Sequence, residues 1–239
     1  MFSAFERTMA FRYLRAKRQE GFISVVAWFS LLGIMLGVAT LIIVMSVMNG
    51  FRAELLDRIL GLNGHLEISA ARGSLKGYSE ISGKINGIQG VISATPVVEG
   101  QVLLSANRVS RGAVARGMSA DGIRAKPLLK DGILSGTLEG FDDGTGVLIG
   151  RRMSERFGLR VGDKLTFIAP RGTTTAFGTM PRMKAYSVAA IFEVGMSEYD
   201  SSFVFMPIAA AQTFFRQKGG VSHIEVTTEH ADKIDQVRS

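Results

Sequence analysis

Between Glu20 and Arg52 the chain carries no charge. Within that interval residues 25–48 (VVAWFSLLGIMLGVATLIIVMSVM) are apolar on every face of a helix, relieved only by Ser30, Thr40 and Ser46. A helix needs about 20 such residues to cross a bilayer, so the pattern predicts a transmembrane helix over residues 22–51. A secretory signal core is shorter, about 7 to 15 residues, and ends in small residues, whereas this run ends Met48-Asn49-Gly50-Phe51. A soluble core helix with no polar face would have to be covered on all sides by a small domain. The reading is a permanent anchor.

Beyond the anchor the period changes. Leu55, Leu56, Ile59 and Leu60 keep helical spacing and predict a helical stalk over residues 52–62, closed by Gly61 and Gly64. Residues 65–69 alternate as a strand, residues 79–88 read as a short helix, and residues 91–104 read as a strand region interrupted at Pro96. From Arg111 onward short strands are punctuated by Gly and Asp at residues 112–117, 146–149, 164–168, 186–192 and 202–205. Two helices interrupt them: residues 151–157, ended by Gly158 at a C′ position, and residues 207–217, opened by Pro207. A strand at 224–227 and the start of a helix at 230–238 follow. The expected class is α+β, with an α/β part at 63–105 and 222–239 and a β-rich part at 106–221 inserted into it.

One connection is too long for a simple turn. Residues 169–184 (APRGTTTAFGTMPRMK) lie between two strand-like runs and read as an extended hairpin or protruding loop. Connections of this length are uncommon in compact domains and tend to be functional or disordered. Phe177, Met180 and Met183 give it apolar groups, and Arg171, Arg182 and Lys184 a basic rim, a combination suited to docking a partner. The alternative is a hairpin folded back onto its own sheet.

Charge orients the anchor. Arg7, Arg12, Arg15, Lys17 and Arg18 precede it against Glu6 and Glu20, while Arg52, Glu54, Asp57 and Arg58 follow it in balance. The positive-inside rule then places the N-terminus in the cytoplasm and the large domain outside. The formal charge of +7 needs no nucleic-acid partner, because anionic lipid headgroups account for the basic tail. Phe2, Phe5, Met9, Tyr13 and Leu14 are interleaved with the arginines, so residues 1–21 read either as an amphipathic helix on the inner surface or as a short flexible leader.

Candidate chemistry is sparse. The sequence has no cysteine, which removes disulfides, thiolate catalysis and cysteine metal sites. His65, His223 and His230 lack metal-ligand spacing and read as satisfied surface groups. No Gly-x-Ser-x-Gly elbow occurs. The stretch from Gly77 to Gly83-Lys84 is one residue too long for a phosphate loop and has Ile85 where a Ser or Thr would hold magnesium. Asp142-Asp143 and Glu198-Tyr199-Asp200 read as turn residues. No catalytic residue and no metal ligand is expected.

Particular residues carry a family resemblance. Arg12-Tyr13-Leu14-Arg15, Phe22-Ile23-Ser24, Gly33-Ile34-Met35-Leu36-Gly37-Val38-Ala39, Ser46-Val47-Met48-Asn49-Gly50-Phe51 and Leu60-Gly61-Leu62 resemble the opening of LolC/LolE-type permeases, membrane subunits of the lipoprotein-releasing ABC transporter. Leu148-Ile149-Gly150, Phe157-Gly158-Leu159-Arg160-Val161-Gly162-Asp163 and Phe205-Met206-Pro207 resemble the outer domain shared with MacB-like exporters. The resemblance covers essentially the whole chain. It implies a Gram-negative inner-membrane subunit with a MacB-like periplasmic domain, which extracts lipoproteins and passes them to a LolA-like periplasmic carrier. ATP and magnesium would be bound by a separate LolD-like ATPase, and a second LolC/LolE-like permease subunit would complete the complex.

The resemblance also implies site residues. LolC-type members hold the carrier with a protruding hairpin, the hook, and residues 169–184 match its position, with Gly178-Thr179-Met180-Pro181 matching its Gly-x-x-Pro core. The implied carrier-binding set is Arg171, Phe177, Gly178, Met180, Pro181, Arg182 and Lys184. Where better-known hooks continue with Ser-Gln-Arg, this chain has Arg182-Met183-Lys184, keeping the basic character but not the individual donors. Ile43, Val44, Val47 and Met48 would line the cavity that receives lipoprotein acyl chains, or else face bulk lipid. Family chains run to about 400 residues with four membrane helices, so this chain is expected to be a fragment. Two other readings stay open: a MacB-like or FtsX-like mechanotransmission subunit, and a singly anchored periplasmic binding or adaptor protein.

Overall fold

The structure is a computed structural model that describes residues 5, 6, 8, 9, 12, 21–170, 173–175 and 178–228. The chain divides into two compact units, Met1–Asp57 and Arg58–Ser239. The expected amphipathic tail and the expected helix at 230–238 fall almost wholly outside the described residues.

With no proline between residues 21 and 62, the apolar run to Phe51 and the amphipathic stretch after it join as one long helix, α1 (Gly21–Leu62). Its segment Val25–Arg52 is long and apolar enough to cross a membrane, and none of its most apolar window is buried. At about 1.5 Å per residue those 28 residues exceed the roughly 30 Å hydrocarbon layer. The anchor and stalk expected from the sequence are thus parts of a single helical element.

In the second unit the strands β1 (Leu66–Ser69) and β2 (Leu75–Lys76) are followed by α2 (Tyr78–Asn86) and a hairpin of β3 (Val91–Ala106) and β4 (Val109–Met118). Two short helices, α3 (Ala120–Arg124) and α4 (Pro127–Asp131), precede β5 (Ile133–Gly136) and β6 (Gly146–Gly150). Then come α5 (Arg151–Phe157), β7 (Lys164–Ile168), β8 (Thr173–Thr175), β9 (Gly178–Met180) and β10 (Met183–Phe192). The remaining elements are α6 (Ser197–Ser202), β11 (Phe203–Pro207), α7 (Ile208–Phe215), β12 (Gly220–Val221) and β13 (His223–Thr228). Gly158 ends α5 in the left-handed conformation, φ 64°, as a C-terminal glycine should. Pro207 closes β11 and stands just before α7 rather than inside it.

Nine strands form one sheet in the order β1-β13-β3-β4-β11-β6-β10-β5, with β7 pairing both β10 and β3. Because β7 joins both, the strands β3, β4, β11, β6, β10 and β7 close on themselves as a barrel. β1 and β13 extend from the first half of β3, where α2 packs. β3 runs straight through Pro96, against the interruption expected there. At that point β13 is its one paired neighbour, because pairing with β4 begins only at Val98, so the strand tolerates a residue lacking an N–H.

Two buried clusters line the two faces of this sheet. One holds Val102, Leu104, Leu165, Phe167, Tyr186, Val188 and Phe214. The other holds Leu62, Met118, Ile123, Leu129, Phe141, Phe192 and Phe205. In β6 alternation divides the strand between them: Val147 and Ile149 enter the first, Leu148 the second. A register shift in β10 between Val188 and Ala190 does the same by insertion, sending Tyr186 and Val188 one way and Ala190 and Phe192 the other. Each large apolar side chain so buried contributes about 1.5–3 kcal/mol.

Candidate docking hairpin and the charged cluster at the end of the helix

The hairpin expected between residues 169 and 184 is present. β7 and β10 pair antiparallel up to Ile168 and Met183, and the Ala169 N–H donates to the Arg182 carbonyl at 2.8 Å as a last rung. Beyond that rung β8 and β9 pair with each other, Thr173 opposite Met180 and Thr175 opposite Gly178. They form a separate two-stranded ribbon that, among the described residues, joins no strand of the main sheet. An isolated two-stranded ribbon is marginal in water, so the ribbon depends on its root for position.

That root is aromatic and cationic. The Tyr186 ring meets Phe167 edge-on at 4.9 Å, and Phe167 meets Phe214 edge-on at 6.1 Å. The Arg182 guanidinium donates to the Phe214 carbonyl and lies 6.0 Å from that ring. Lys184 places its ammonium 5.0 Å from the Tyr186 ring centre. Burial pushes the Tyr186 phenol up to about 12, and its hydroxyl has no hydrogen-bond partner among the described residues. Beside the root lies a cavity of about 450 Å³, lined by Gly100, Gln101, Ala169, Pro170, Arg182 and Phe215.

The residues expected to hold a carrier therefore separate by position. Pro181, just before β10, and Lys184 within it are exposed, with Met183, 59% exposed, between them in sequence. Arg182 is half-buried and committed to Phe214, which makes it a residue that sets the hairpin's position. Gly178 and Met180 lie in β9, while Arg171 and Phe177 fall outside the described residues. On α1, Ile43, Val44, Val47 and Met48 are all more than half exposed, at 62%, 54%, 66% and 58%.

A second polar feature was missed by sequence reasoning: a group of buried charges where α1 ends. Lys126, in the bend between α3 and α4, donates to the Leu62 carbonyl at 2.6 Å and to Glu225 Oε2 at 2.7 Å. Arg116 of β4 donates through Nε to Glu99 at 2.7 Å and through Nη1 to the Asn63 side-chain oxygen at 2.9 Å, and lies 3.3 Å from Glu225 Oε1. Asn63 in turn donates to the Tyr199 hydroxyl at 2.5 Å. His223 stands between Glu67 and Glu225, 3.6 Å from each. It is buried, not a surface group, on the strand β13 that lies between β1 and β3 in the sheet, with Glu67 and Glu225 against its ring.

The electrostatics follow from the number of partners. Burial works against the Glu225 charge, but His223, Lys126 and Arg116 outweigh it and hold the carboxyl down at about 2. Burial likewise lowers the Lys126 ammonium, and Glu225 opposes this only in part because Arg116 repels it. Asp200 also departs from its expected turn role: its carboxylate accepts the Val194 N–H at 2.9 Å, and burial pushes its pKa up. His65 bonds Thr228, and among the described residues no group of three or more His, Asp or Glu is placed to hold a metal.

Comparison with known proteins agrees with this architecture. The lipoprotein-releasing system transmembrane protein LolC of Xylella fastidiosa (strain Temecula1) is 32% identical over 220 residues, 92% of this chain and 53% of that protein. LolC of Neisseria meningitidis serogroup B is 33% identical over 217 residues, 90% of this chain and 52% of that protein. LolE of Haemophilus influenzae is 27% identical over 216 residues. The chain spans about half the length of these curated relatives. Among solved structures, the extracellular domain of the noncanonic ABC-type transporter YknZ from Gram-positive bacteria matches with a TM-score of 0.50 at 17% identity, over 72% of this chain and 86% of that one. That likeness is one of fold. The family profile of the MacB-like periplasmic core domain matches residues 27–239, and the chain belongs to that family.

Proposed function

We propose that this chain is part of a LolC-type permease subunit in an ATP-driven complex that extracts lipoproteins from the inner membrane and hands them to a LolA-like periplasmic carrier. α1 crosses the inner membrane with its N-terminus in the cytoplasm, and the β-barrel domain stands in the periplasm. A LolD-like ATPase binds ATP and magnesium, so the chain itself catalyses no reaction. A second LolC/LolE-like subunit pairs with it in the membrane.

The observation that carries this reading is the ribbon β8–β9, which stands between β7 and β10 in the chain and, among the described residues, pairs only with itself and with no strand of the main sheet. Long connections with apolar tips are used for binding, and Phe177 and Met180 supply adaptable apolar contacts. On α1 the exposed Ile43, Val44, Val47 and Met48 form an apolar surface continuous with the bilayer, which an acyl chain leaving the membrane can meet. An identity of 32–33% with LolC proteins, over alignments that cover 90–92% of the chain, supports the same assignment.

A photo-crosslinking amino acid at position 177 of the full permease tests the docking role. It should capture a LolA-like carrier, and Met180→Ala should weaken the capture. Equal capture from position 177 and from Arg152, exposed on α5, would remove the reading.

A further inference from the structure

The end of α1 is unusual in how it is held. Helix C-termini commonly end in a left-handed glycine that bonds the last carbonyls, or leave those carbonyls to water. Here the Leu62 carbonyl receives a buried ammonium from 64 residues away in sequence. The next residue, Asn63, is held by Arg116 on one side chain atom and by Tyr199 on the other. His65 N–H then donates to the Val226 carbonyl at 2.8 Å. Steric clearance matches this grip: a Cβ at Gly61 would strike Leu128, and one at Gly64 would strike the Val226 backbone. Leu62 itself is 1% exposed in the cluster with Met118, Ile123 and Leu129. Residues 61–65 are therefore sunk between β4, β13, α6 and the α3–α4 bend.

We propose that Lys126 and Glu225 form a charged latch that fastens the last turn of α1 to β13, so that a twist or pull reaching Leu62 moves the barrel instead of fraying the helix. The geometry requires both partners. Lys126 supplies the donor to Leu62, and Glu225 fixes the ammonium while also holding Arg116, the donor to Asn63. An ammonium at a helix C-terminus is also favoured by the helix dipole. An apolar side chain in place of Lys126 would fill the space but leave the Leu62 carbonyl without its donor. The latch is independent of what the protein carries.

The test is amide hydrogen exchange on the full permease chain in detergent, comparing the unaltered protein with Lys126→Met and with the double variant K126M/E225Q. The single variant leaves Glu225 facing Arg116 and His223 without its lysine, and it loosens the whole domain if stability alone depends on the pair. The double variant removes both buried charges, so the barrel strands β4 and β11 keep their protection. The latch predicts that residues 62–66 nonetheless exchange about tenfold faster in the double variant, the loss of a hydrogen bond from a charged donor. Unchanged exchange at 62–66 in the double variant would overturn the proposal. So would faster exchange spread evenly over the barrel in both variants.

Discussion

The two polar features of the barrel domain are built in opposite ways. At the end of α1, Lys126, Glu225 and Arg116 are each less than a tenth exposed, and their charges are matched by one another and by Leu62 and Asn63. At the hairpin, one half-buried cation, Arg182, holds the root, and Met183 leaves an apolar side chain to solvent. Buried, paired charges resist local change, because removing one strands the others in a low dielectric. A ribbon that pairs outside the main sheet on a fixed root can change sequence at its tip without touching the core. The difference separates a part that must keep its position from a part whose tip is free to vary.

Breaking the first region should have the largest effect. Glu225→Ala leaves Lys126 and Arg116 uncompensated and should destabilise the domain by about 3–5 kcal/mol in chemical denaturation. Acid should do the same reversibly. Glu225 is held at about 2 against an ordinary 4.5, so the unfolded chain binds more protons between those values. Its contribution is fully present above about pH 4.5 and fades as the pH falls toward about 2. The K126M/E225Q variant should show a flatter stability profile across that window.

At the hairpin root the expected effect is smaller. Arg182→Ala leaves the Phe214 carbonyl without its donor and should cost about 1–2 kcal/mol. Its sharper signature is faster proteolysis within residues 171–180, with β4 and β11 still protected from exchange. Smallest is Tyr186→Phe, which removes a buried hydroxyl that has no partner among the described residues. It should be neutral or stabilising by up to about 1 kcal/mol in a thermal melt. A clear loss would mean that the hydroxyl is hydrogen-bonded, and that the root is polar rather than aromatic.

Local pattern made much of this molecule legible in advance. The uncharged run to Phe51, the strand at 164–168 and the glycine-ended helix at 151–157 all depend on neighbours in sequence, and they stand where periodicity placed them. The β3–β4 hairpin escaped because its two-residue turn is Asn107-Arg108, both at positive φ, where a glycine would have announced it. The barrel closure escaped for a different reason: β7 meets β3 some sixty residues away, and no local signal encodes that pairing. The Lys126–Glu225 pair escaped likewise, because its partners lie 99 positions apart in sequence. The hairpin was visible from its length and its apolar tip, whereas Arg182 changed role because its partner is a backbone carbonyl on α7.

The central claim is that the hairpin docks a carrier and that the fold does not depend on its tip. Replacing residues 172–179 with a two-residue Asn-Gly turn in the full permease, and measuring carrier affinity and melting temperature together, tests it most directly. The account predicts a melting temperature within about 2 °C of the unaltered protein, as for a surface change, and at least about a tenfold loss of affinity for a LolA-like carrier. Retained affinity with an intact fold would contradict it.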